Sequence, residues 1–275
     1  MSQSGNGGVR LRIISALVLM PPALAAAWFG WPWLPAVVVA AAAGMGIEWA
    51  RLVDGGPEQR RALIVGTPLA AAVLVAFAYP AAGCAVAVMG AAAVGAQSVG
   101  RTAPAPLWAA GGTLWLALGS VSFLWVAQQA PGQAYDGATV LWFLVLVWSV
   151  DVAAYVAGRA FGGPKLAPVL SPNKTWAGFC GGLAGAALAG WGAAALVGAA
   201  VAVMVPVSLL LGLAAQFGDL AESMAKRRFK VKDSGGLIPG HGGLLDRLDS
   251  LLAAALMLGL LTLVAGAPPL QWRFP

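Results

Sequence analysis

Nine stretches of mostly apolar residues, each near the length of a membrane-crossing helix, dominate this 275-residue chain. A bilayer's hydrocarbon core is about 30 Å thick, so a helix needs about 20 apolar residues to cross it. Runs of that kind lie at 13–30, 32–50, 62–79, 81–99, 106–127, 139–158, 177–198, 201–220 and 246–266. Within lipid each backbone N–H and C=O must be satisfied inside its own segment, so these runs predict helices rather than open strands. The expected fold is therefore all-α: a polytopic membrane protein of about nine transmembrane helices. The seventh and eighth runs form one apolar tract too long for a single crossing, and it is divided near Val201. Composition agrees, since 9% of residues are charged where a soluble domain carries about 25%.

The positions of the charges test this map. With nine crossings, fifteen of the sixteen Lys and Arg residues fall on one side, from Arg10 and Arg12 to Lys232 and Arg247. Only Arg273 falls on the other. Cytoplasmic loops are the ones enriched in Lys and Arg, so the N-terminus is expected in the cytoplasm. Arg10, Arg12 and the small residues Ala23 and Ala25 resemble a signal peptide. The apolar run continues past them, which favours an uncleaved first helix. Cys84 and Cys180 lie inside apolar runs with no metal-ligand partners beside them, and are expected to be small buried hydrophobic residues.

The acidic residues are unevenly placed. Residues 1–138 hold only Glu48, Asp54, Glu58 and Asp136, and read as a transmembrane scaffold of about five helices. Residues 139–275 hold Asp151, Asp219, Glu222, Asp233, Asp246 and Asp249, on or beside the expected cytoplasmic helix ends. Chemistry is therefore expected in the second region, with loops at 159–175 and 221–245.

Asp219, Glu222 and Ser223 stand at i, i+3 and i+4 and share one helical face. Asp246 and Asp249 are again i, i+3 at the start of the ninth helix. Two acidic helix ends joined by one loop can converge. Their hard oxygens suit Mg²⁺, which takes one or two carboxylates and completes its shell with water and phosphate. Between them lie Lys226, Arg227, Arg228, Lys230 and Lys232, then Asp233, then Gly235, Gly236, Gly240, Gly242 and Gly243, with His241 the only histidine. Basic side chains can hold a polyphosphate, and glycines let backbone N–H groups approach it. The glycine spacing excludes a Walker A loop. Each feature alone has an ordinary reading as a helix flank or a lipid contact; their compression into one loop of so uncharged a chain points to a phosphoryl-transfer site.

A second cluster lies upstream. Asp151 sits inside the sixth helix, about 12 Å from its Arg159 end, with Tyr155 one turn on. An intramembrane carboxylate is costly and faces a polar cavity or a partner. Lys165, Ser171, Asn173, Lys174 and Thr175 offer donors for phosphate, and Thr175 reads equally well as a helix N-cap.

These residues resemble the phosphatidate cytidylyltransferases (CDP-diacylglycerol synthases). The resemblance rests on Ser223, Lys226-Arg227, Lys232-Asp233, Pro239-Gly240-His241-Gly242-Gly243 and Asp246-Arg247-Leu248-Asp249, and on the upstream Ser171-Pro172-Asn173-Lys174-Thr175 segment. It is strongest from Trp148 to Leu251. Ala225 and Ala177 stand where the family usually has a larger aliphatic and a polar residue. The resemblance implies transfer of a cytidylyl group from CTP to phosphatidic acid, giving CDP-diacylglycerol and pyrophosphate for phospholipid synthesis. It implies Mg²⁺, with or without a second cation, held by Asp219, Asp246 and Asp249. Lys226, Arg227, Lys232 and Arg247 would neutralise phosphate, and Asp233 and His241 would belong to the catalytic loop. Asp151, Ser171, Lys174, Thr175, Ser223, Gly242 and Gly243 would contact substrate. The implied setting is the bacterial inner membrane, with active-site loops facing the cytoplasm, no nucleic-acid partner, and a homodimer as one compatible assembly. A kinase or synthase using CTP with another lipid acceptor would share this metal logic. A transporter would place its polar groups near the midplane of two related halves, whereas here they gather at one face.

Overall fold

The computed structural model describes residues 21–53, 58–97, 105–130, 135–238 and 242–272. Eight of the nine apolar runs appear as helices in order, preceded by a short helix at the described end of the first. They are α1 (21–29), α2 (Trp33–Leu52), α3 (Glu58–Ala76), α4 (Pro80–Ala96), α5 (Ala105–Ala127), α6 (Gly137–Phe161), α7 (Trp176–Val197), α8 (Val201–Arg228) and α9 (Leu245–Ala265). Nine crossings are not reached among the described residues: seven helices are long and apolar enough to span a bilayer. The 17-residue α4 is shorter, and residues 13–20 of the expected first span lie outside the described residues. The protein is a helical, multi-pass membrane protein.

The chain forms two compact units that are not simple halves. One comprises Met1–Leu124 with Arg228–Leu248, and the other Trp125–Arg227 with Asp249–Pro275. In the first, α2 packs on α3 and α3 on α4. The Trp49 side chain, 2% exposed, lies against Gly112 of α5, and its indole N–H donates to the Ala109 carbonyl at 3.4 Å.

In the second unit α6 and α7 pack along each other extensively. Small residues allow it, because a Cβ on Gly185 would stand 2.5 Å from the Ser149 carbonyl oxygen. Close backbone approach through small residues is how helices associate in lipid, where no hydrophobic driving force separates them from the solvent. The tract 177–220 breaks where the length argument places it. Gly198 takes a left-handed conformation (φ 69°) that caps α7, and α8 starts at Val201.

Three expectations are corrected. Loop 221–245 begins late, since α8 stays helical through Arg228. Loop 159–175 contains the end of α6 and an antiparallel hairpin, β1 (Lys165–Ala167) and β2 (Ser171–Thr175), pairing Lys165 with Thr175 and Ala167 with Ser171. Strands this short, one with a proline, carry no readable alternation; in a two-stranded sheet each strand is an edge, where a proline is tolerated. Cys84 and Cys180 are free and exposed rather than buried. A small apolar side chain on a membrane helix can face lipid without cost, so apolar context does not imply burial in protein.

Candidate active site

In the second unit the site is built where α8 meets α9. A Cβ on Gly218 would lie 2.5 Å from Ala253 Cβ and 2.7 Å from the Asp249 carbonyl oxygen, so the missing side chain sets the contact. Asp219 is the next residue on α8. Asp249, on α9, is 6% exposed, and Asp219, Asp151 and Lys226 are its charged neighbours. Its carboxylate accepts from the backbone N–H of Ser250, 2.7 Å from Oδ1. Burial strips water from a charge, and nearby like charges add to that cost.

Cations reach this acidic group from two elements. Lys174 of β2 places Nζ 2.5 Å from Asp219 Oδ2. Lys226 pairs with Glu222 one turn earlier on α8, where Glu222 is fully buried. Arg227 donates from Nε to the Leu170 carbonyl in the hairpin turn at 3.1 Å. Thr175 acts as the N-cap of α7, accepting from the Gly178 N–H at 3.1 Å, and is buried. On α6, Asp151 and Tyr155 are exposed, and Arg159 donates to the Tyr155 hydroxyl at 2.9 Å. Ser171 and Ser223 are half-buried.

The first unit holds the glycine-rich loop. Asp246 reaches back from the first turn of α9 to accept from the Gly243 N–H (2.9 Å) and the Ser234 N–H (3.0 Å to Oδ2, 3.2 Å to Oδ1). Ile238 N–H donates to the Gly242 carbonyl at 3.1 Å, closing a tight turn, with Gly242 at φ 86°. His241, with Pro239 and Gly240, lies outside the described residues. Lys232, Asp233 and Arg247 are exposed on this loop and helix start.

One participant was not expected. Glu48 of α2, fully buried, accepts from the Leu245 N–H (2.8 Å), the Leu237 N–H (3.3 Å) and the Ser234 hydroxyl (3.5 Å). A Cβ on Gly235 would collide with the Glu48 carboxylate, and one on Gly243 would collide with Ser234 and crowd both Asp246 and Glu48. At these two positions glycine makes room for carboxylates. A signal for Glu48 was present in the sequence: an acid inside an apolar helix is costly wherever it stands. It was masked because nearby Arg51 makes the segment look like an ordinary helix flank.

The structure thus brings Asp219 together with Lys174, and Asp249 into the field of Asp219, Asp151 and Lys226. It does not gather a ready-made cage: among the described residues no three His, Cys, Asp or Glu side chains converge at metal-ligand distance. The donors present are hard carboxylate oxygens, of the kind that Mg²⁺ takes. Asp219 and the buried Asp249, two like charges in each other's field, suit a cation.

These features define the class: a polytopic helical membrane protein with carboxylates and basic side chains gathered where α8 meets α9 and beside the hairpin. The family model described as "Cytidylyltransferase family" matches residues 10–264, and the chain belongs to that family. A protein named "Phosphatidate cytidylyltransferase" from Brucella suis biovar 1 (strain 1330) is 47% identical over 162 residues, 58% of this chain and 59% of the relative. One of the same name from Pseudomonas aeruginosa is 44% identical over 135 residues, 45% of this chain and 46% of the relative. Another, from Staphylococcus aureus (strain COL), is 44% identical over 124 residues, 44% and 48% respectively. The chain therefore spans between about half and three-fifths of the length of these relatives.

Proposed function

We propose that the protein is a phosphatidate cytidylyltransferase, transferring a cytidylyl group from CTP to phosphatidic acid. The observation that carries this reading is the carboxylate pair Asp219 and Asp249 at the tight α8–α9 contact, flanked by Lys174 and Lys226, in a membrane helix bundle of the cytidylyltransferase family. A phosphate oxygen of phosphatidic acid attacks the α-phosphorus of CTP. The new P–O bond forms as the bond to the β-phosphate oxygen breaks, and pyrophosphate leaves with that electron pair. The nucleophile is already an anion, so no strong general base is required, and His241 is assigned to loop shape rather than proton transfer.

Asp219 and Asp249 are the residues that would hold Mg²⁺, which when bound supplies neutralisation of charge on the phosphate oxygens, while Asp246 orders the glycine-rich loop through the Gly243 and Ser234 N–H groups. Lys226, Arg227, Lys232 and Arg247 screen the substrates' negative charge. Lys174 and Ser171, on the hairpin, and Ser223, on α8, would contact substrate phosphate. Thr175 serves chiefly as the α7 cap. The basic asymmetry of the loops supports a cytoplasmic position for these groups in a bacterial inner membrane, where CTP is available.

The test is transfer itself. Detergent-purified protein is given Mg²⁺, phosphatidic acid and CTP labelled at the α-phosphate, and label is sought in the lipid phase. Label that depends on both Mg²⁺ and phosphatidic acid, and is lost in Asp219→Asn and Asp246→Asn, is expected. Folded protein that labels other lipid acceptors but never phosphatidic acid would overturn the reading.

A further inference from the structure

We infer that Glu48 is a positioning residue for the glycine-rich loop, a role resting on the proposed cytidylyl transfer. The carboxylate sits in α2, far in sequence from everything it holds, and is fully buried. A buried carboxylate without partners is strongly destabilising, so its hydrogen bonds have to account for its presence. They are not spread at random. Leu237 and Leu245 donate backbone N–H groups to opposite oxygens, Oε1 and Oε2. Those two residues bracket 238–244, the segment containing the Pro-Gly-His-Gly-Gly motif. One side chain therefore fixes both ends of the loop.

Three further contacts make this attachment specific. Ser234, whose hydroxyl donates to Glu48, also gives its backbone N–H to Asp246, so Glu48 and Asp246 are linked through one residue. Gly44, one turn before Glu48 on the same face of α2, lies against Leu244 and Leu237; a Cβ there would be 2.8 Å and 3.4 Å from their side chains. Leu245, fully buried, is the first residue of α9, so an anion at its N–H also complements the helix dipole. A carboxylate is needed because it only accepts. An amide would turn an N–H₂ group toward one of these donors.

The test uses full-length protein in detergent and reads loop order separately from catalysis. Trypsin cleavage after Lys232 is measured relative to cleavage after Lys165 in the hairpin, in wild type, Glu48→Gln and, as a packing control, Leu34→Ala at the far end of α2. Glu48→Gln is expected to raise the Lys232-to-Lys165 ratio about tenfold, consistent with losing a charge-assisted bond. The KM for CTP should rise by a similar factor and kcat fall, with the KM for phosphatidic acid unchanged. Leu34→Ala should lower the melting temperature and leave the ratio and both KM values alone. If Glu48→Gln does not fold, Ser234→Ala removes one donor and should show the same pattern at about threefold. A wild-type cleavage ratio in Glu48→Gln, or a lower melting temperature with unchanged kinetic constants, overturns the positioning role. Wild-type protein with no cytidylyl transfer would instead defeat the functional reading, while the cleavage ratio would still decide whether Glu48 pins the loop.

Discussion

Two pairs of carboxylates in this protein face opposite situations. Glu48 and Asp246, in the unit containing the glycine-rich loop, are surrounded by donors: three for Glu48 and two backbone N–H groups for Asp246. Asp219 and Asp249, in the other unit, stand near one another, with a lysine on Asp219 and one backbone N–H on Asp249. The same functional group thus does two jobs. A carboxylate saturated by backbone N–H groups behaves as a structural fastener, and removing it should loosen the chain. Carboxylates set against each other hold unfavourable energy, which on the proposed reading a cation relieves, so neutralising one should harm chemistry while sparing the fold.

The largest effect that could break this comparison is at Asp219. Asp219→Asn is expected to lower turnover about a thousandfold, from several kcal/mol of lost charge stabilisation, with a melting temperature no lower than wild type. A large drop in melting temperature would show that Asp219 is a fastener too. Asp246→Asn should lower both turnover and melting temperature, because its amide cannot accept from Ser234 and Gly243 as a carboxylate does. Circular-dichroism melts run beside the transfer assay distinguish the two.

Next is Gly218→Leu. The new side chain must displace Ala253 or the Asp249 backbone, and overpacking of this kind costs roughly 1–3 kcal/mol. Turnover should fall with stability, because the contact that opposes Asp219 and Asp249 is lost. The smallest effect concerns Lys174. Its pair with Asp219 is partly exposed and contributes about 1 kcal/mol or less. If Lys174 competes with the cation for Asp219, Lys174→Met should lower the half-saturating Mg²⁺ concentration about threefold. An unchanged or higher Mg²⁺ requirement would show that the lysine serves substrate alone.

Much of this was legible in the sequence, for identifiable reasons. Helix identity follows from run length in a solvent that forbids unpaired backbone groups, and Asp219 and Asp249 stood out as charges in an apolar chain. What escaped depended on contacts between distant residues. Glu48 lies almost two hundred positions from Leu245, and no local pattern links them. Gly218 looked like any of the 37 glycines until α9 was laid against it. The glycines of the loop were read as room for phosphate, yet two of them, Gly235 and Gly243, make room for the protein's own acids. The hairpin was too short to leave a period.

The length of α8 has a consequence for how the two proposed substrates meet. Its 28 residues amount to about 42 Å of helix, against about 30 Å of hydrocarbon. Even with tilt, roughly two turns overhang the oily layer, and Glu222, Lys226 and Arg227 ride on that end. A lipid phosphate anchored at the headgroup depth and a nucleotide arriving from water would touch one continuous rigid rod. Neither the lipid has to leave the membrane nor the nucleotide enter it.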